Sequence, residues 1–91
     1  MGTLNVGDAI RIPCEVKPGP FSDEKFVSFE TVDGIISGFV EANEIQERDS
    51  RFFVTGIVKE TSGERIVVVV RGSFFQTNGI ATVDRTTACA A

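Results

Sequence analysis

Apolar residues recur at every second position in short runs, and the runs are separated by glycine, proline, aspartate and asparagine. Such a run lays one side against a core and the other against water, which is the demand of a half-buried β-strand. Over residues 9–16, Ile10, Ile12, Cys14 and Val16 alternate with Arg11, Pro13 and Glu15. Pro13 has no N–H to give a neighbouring strand, so this strand is expected at an edge or with a bulge. Lys17-Pro18-Gly19-Pro20 ends it, and residues 21–25 form a loop carrying Asp23 and Glu24.

Further strands are predicted over 25–31, 35–40, 51–60, 65–71, 74–77 and 80–83. Two turn signals stand out. Asp33-Gly34 and Asn78-Gly79 each lie between apolar runs, and both residue pairs tolerate the positive φ of a two-residue type I′ turn. The first should pair Val32 with Ile35, Thr31 with Ile36 and Phe29 with Gly38; the second should join 74–77 to 80–83. Residues 41–49 are polar and acidic, with room for one helical turn and Ile45 pointing inward. The expected fold class is therefore all-β: a small barrel or a two-sheet sandwich of six to seven short antiparallel strands. One domain over 1–85 and a flexible tail over 86–91 account for the whole length.

Two segments resemble bacterial Src-homology-3-like (SH3-like) barrels. Val6-Gly7-Asp8-Ala9-Ile10-Arg11-Ile12 is similar to their opening turn and strand. Gly38-Phe39-Val40-Glu41-Ala42-Asn43-Glu44-Ile45 is similar to their closing strand, helical turn and strand. The resemblance covers about residues 6–46 and implies the same three elements here. The Tyr and Trp that line the peptide groove of that family have no counterpart, because the chain contains neither, so no binding residue carries over. In size and lack of known motifs the chain also resembles the short orphan proteins of bacterial mobile gene cassettes.

Composition narrows the chemistry. The chain has no His, and so lacks the usual proton shuttle and the commonest metal ligand. Eight Phe with no Tyr or Trp supply buried area without a polar tip. A net charge of −4 opposes general nucleic-acid binding. That charge is uneven, −6 over residues 1–47 and +2 over 48–91. Cys14 and Cys89 read as a buried thiol and a tail thiol, with a disulfide as the alternative. No signal sequence or membrane-spanning run is found, which gives a cytoplasmic expectation without membrane association. Met1-Gly2 opens a myristoylation pattern that Val6 breaks.

Catalytic, cofactor-binding and metal-binding residues are therefore expected to be absent. Cys14 has no base beside it on its own face, and Asp8, Asp23, Glu24, Glu30 and Asp33 read as solvated loop carboxylates. Glu41, Glu44 and Glu47 would share a helical face, as a solvated patch or as a surface for a basic protein. Phe52-Phe53 and Phe74-Phe75 should each split between two faces, which suits a core or an interface better than base stacking. The run from Ile66 to Val70 does not alternate, and neither does 51–58. A homo-oligomer is expected to cover the surplus, through Phe52, Phe53, Val67, Val68, Val69, Phe74 and Phe75. The functional expectation is a non-enzymatic, self-associating binding or assembly module. The alternative is a small-molecule-binding barrel, or an enzyme whose site forms between subunits.

Overall fold

The computed structural model describes residues 4–75 and 77–90. The Met1-Gly2 start, position 76 of the expected strand 74–77, and Ala91 of the expected tail lie outside the described residues. Among these the strands are β1 (Ala9–Pro18), β2 (Glu24–Thr31), β3 (Gly34–Glu41), β4 (Ile45–Arg48), β5 (Arg51–Ser62), β6 (Arg65–Val70), β7 (Ser73–Phe74), β8 (Ile80–Asp84) and β9 (Cys89–Ala90). A single 3-10 turn, Ala42–Glu44, stands between β3 and β4. The strand, helical turn and strand expected from the resemblance are therefore present at 34–48.

All pairings are antiparallel, in the order β7-β3-β2-β1-β5-β6-β8, with β4 beside β5 and β9 beside β1. The sheet curls until the tip of the β2–β3 hairpin meets β8, where the Val32 N–H donates to the Thr82 carbonyl at 2.9 Å. The result is an all-β half-barrel. Its concave side holds Ile10 and Ile12, Val27 and Phe29, Val40, Val54 and Val58, Ile66, Val68 and Val70, and Ala81 and Val83. These are alternate residues of successive strands, as the period of two requires. Pro13 sits where β1 has a strand partner on one edge only, since β9 pairs with residues 10–11 and β2 with residues 15–18.

Three turns differ from expectation. In the β2–β3 hairpin, Thr31 pairs with Gly34, Phe29 with Ile36 and Val27 with Gly38, so Val32 and Asp33 hold the loop. Gly34 has a φ of 118°, whereas Asp33 keeps a negative φ, the pattern of a tight turn followed by a glycine bulge. A two-residue shift leaves every side chain on its own face, so the apolar pattern cannot choose between the registers. Cross-strand pairs choose instead. The observed register sets Phe26 against Phe39, rings 5.6 Å apart and edge to face, and Ser28 against Ser37, hydroxyls 2.9 Å apart. Thr31 completes the turn, its hydroxyl donating to the Gly34 carbonyl and accepting from the Asp33 N–H.

The second expected hairpin does not form. β7 adds to β3 and β8 adds to β6, at opposite ends of the sheet, so Asn78-Gly79 belongs to a crossover. Gly79 keeps a φ of 90°, and its carbonyl accepts the Val70 N–H at 2.8 Å. The type I′ geometry appears elsewhere. Arg48 pairs with Arg51 across Asp49 and Ser50, whose φ values are 52° and 65°. This hairpin lies where the sequence shows only a polar stretch.

Ser50 therefore occupies a conformation that costs a residue with a side chain about 1–2 kcal/mol. Ser50→Gly should remove that cost at a smaller entropic penalty, raising stability by about 0.5–1 kcal/mol and the melting temperature by several degrees. Thermal unfolding followed by circular dichroism checks this, and an unchanged or lowered midpoint contradicts it.

Candidate interaction surface

The run Ile66 to Val70 alternates after all. Ile66, Val68 and Val70 face the core, while Val67 and Val69 are half-buried on the outer face. Register then places the outer residues in rows across the strands. Ala9 pairs with Ile57, Ile57 with Val69, and Val69 with Ile80, making one apolar row over β1, β5, β6 and β8. Ile57 is 40% exposed and Ile80 54%. One row further along, Glu60 pairs with Val67 and Val67 with Thr82.

On the other side of the apolar row lies Phe53. It points outward yet is only 8% exposed, because two guanidinium groups, those of Arg11 and Arg51, each lie 5.6 Å from its ring centre. The attraction is between the cations and the negative face of the ring. Arg48 stands beside Arg51 across the hairpin. The far end of the same face carries Glu60, Arg65 paired with Asp84, and Glu64 in the turn. The Asp84 carboxyl is held below its ordinary range, first by the Thr86 backbone N–H and then by the Thr86 hydroxyl. The outer face therefore runs from basic through apolar to acidic.

The residues expected at an interface are dispersed. Val68 is fully buried in the chain's own core. Phe74 is half-buried against that core, its ring edge to face with Phe29 at 5.7 Å. Phe75 points the opposite way, 64% exposed, and lies against Phe26 and Phe39. Phe52 is on the opposite side of β5 from Phe53, so both aromatic doublets do split between faces. Val67 and Val69 share the outer face with Ile57 and Ile80, which sequence reasoning missed. Ile57 was legible from its place in the alternation of β5. Ile80 was not, because its strand was assigned to a different partner.

Two hollows flank these features. An open groove of about 660 Å³ lies where β1 parts from β2, floored by Cys14, Val16, Phe29 and Phe52, with Lys17 and Arg51 among its walls. Cys14 is a free thiol, and burial pushes its pKa up to about 11. A nucleophilic cysteine needs the opposite shift. In a Cys89→Ser background, Cys14 should react with iodoacetamide at pH 8 about a hundredfold more slowly than an unperturbed thiol, since the thiolate fraction falls tenfold per pKa unit. Labelling at the rate of free cysteine would contradict this.

The second hollow is bordered by Glu24, Glu41, Glu44 and Arg71, with Arg71 3.5 Å from Glu44. Glu47 is not part of it; it lies on β4 opposite Phe52, so the three glutamates do not share a helical face. No group of three acidic or cysteine side chains among the described residues is arranged to hold a metal ion. No helix among them is long and apolar enough to cross a membrane. Comparison with known protein families, with curated proteins and with solved structures finds no match.

Proposed function

We propose that this chain is a self-associating assembly module that works through the outer face of β1, β5, β6 and β8. The observation that carries the reading is the apolar row Ala9, Ile57, Val69 and Ile80, continuous over four strands on a face that the described residues leave open. Fully burying a Val or Ile side chain contributes about 1.5–3 kcal/mol, and exposed apolar strips of this kind mark contact sites. Enzymes and small-molecule carriers gather polar groups inside one enclosed concavity. Here the groove is open and holds a protonated thiol, while the continuous apolar feature is a sheet surface.

Light scattering across about 1–100 μM should show a mass of at least two chains, with dissociation in the micromolar range. Ile80→Asp, on an exposed position, should give a folded monomer. A monomer mass for the unaltered protein at every concentration refutes the reading.

A further inference from the structure

Self-association alone leaves open how one copy meets the next. We infer, resting on that reading, that two copies stack this outer face on itself about a two-fold axis lying along the apolar row. The arginine end of each copy then covers the acidic end of the other.

Along β5 and its neighbours the outer face presents Arg48 and Arg51, then Phe53, then Arg11 beside Thr55, then the apolar row, then Glu60, then the Arg65–Asp84 pair and Glu64. Lys59 is the extra residue at the bulge between Val58 and Glu60 and belongs to no row. In a two-fold contact any residue on the axis meets its own copy, which suits Ile57, Val69 and Ile80 and would be unfavourable for a charged group. Residues one row to either side exchange places. Arg11 and Glu60 each lie one row from the axis, so they approach one another twice in the dimer. Arg48 and Arg51 approach the turn that holds Glu64.

Stacking the sheets with strands in the same sense would set arginine on arginine and carboxylate on carboxylate. The charge order therefore selects one orientation. Aligned sheets pack face to face about 10 Å apart, within the reach of arginine and glutamate side chains. The guanidinium groups of Arg11 and Arg51 are already ordered on the Phe53 ring, so their immobilisation costs less on association. Nucleic acid is the other anionic occupant of an arginine patch, but the acidic half of the same face would repel it.

The test exchanges charges between copies. One variant carries Arg48→Glu and Arg51→Glu; the other carries Glu64→Arg, so the Arg11–Glu60 contact is unaltered in both. Each alone places like charges opposite one another, and its dimer dissociation constant, measured by sedimentation at low salt, should rise at least about tenfold. An equimolar mixture restores both contacts in a heterodimer, and its constant should return to within about threefold of the unaltered protein. Recovery on mixing also shows that both variants are folded. If either variant fails to fold, Arg51→Glu with Glu64→Arg carries the same exchange with fewer changes.

Variants that associate as tightly as the unaltered protein overturn the two-fold arrangement and leave self-association standing. So does weakening that mixing fails to repair, and so does saturable binding of single-stranded DNA lost in the Arg48→Glu, Arg51→Glu variant. An unaltered protein that is monomeric throughout removes the underlying reading as well.

Discussion

Val68→Asp is expected to abolish folding, while Val69→Asp, one residue along the same strand, leaves a folded chain. Val68 is fully buried, pairing with Val58 on one side and Ala81 on the other. A carboxylate there has no hydrogen-bond donor among its neighbours. It would either remain charged without solvation or take up a proton at neutral pH. A pKa shift of 3–5 units for a fully buried acid corresponds to about 4–7 kcal/mol, comparable with the entire stability of a small domain. Val69 pairs with Ile57 and Ile80 on the outer face, where water reaches an acidic group. Its replacement removes part of one apolar contact, about 1 kcal/mol, and the chain should run as a monomer. Amide dispersion in a proton–nitrogen correlation spectrum distinguishes the two. A dispersed spectrum for Val68→Asp, or a collapsed one for Val69→Asp, would show that the strand faces are assigned the wrong way round.

Gly38→Ala should cost about 3 kcal/mol, the second-largest effect. Gly38 is buried on β3, opposite Val27 on one edge and Phe74 on the other. A methyl group at this position would come within 2.3 Å of the Ser73 carbonyl oxygen and 2.6 Å of the Phe74 Cα. Both are backbone atoms and cannot rotate aside. Overpacking of this kind typically costs 1–3 kcal/mol, and here β7 must also withdraw. With β7 go the Phe74 contact with Phe29 and the seat of Phe75 on Phe26 and Phe39. Gly63→Ala is the control. Its φ is 61°, but no atom lies within 4 Å of the added methyl group, so it should cost only the conformational term of about 1 kcal/mol. Urea unfolding compares them, and equal losses for the two variants would count against the close approach of β7 to β3.

The alternation of apolar residues by itself determined the all-β class, most strand positions and the composition of the core. Ile10, Ile12, Val54 and Val58 are buried because every second residue of a strand must be. Glycine at 34 and 79 correctly marked positive φ, since a side chain there is strained wherever the chain goes next. Which strands became neighbours was a tertiary decision. Asn78-Gly79 has the local chemistry of a hairpin, yet β7 and β8 part because the close approach at Gly38 and the edge of β6 each hold one of them. The β2–β3 register was decided by which side chains met across it. The outer face followed the same rule: Ile57, Val69 and Ile80 are scattered in sequence and carry no joint signal. They form a row, with arginines at one end and carboxylates at the other, only once β5, β6 and β8 are laid side by side, because a sheet surface is assembled across strands and not along them.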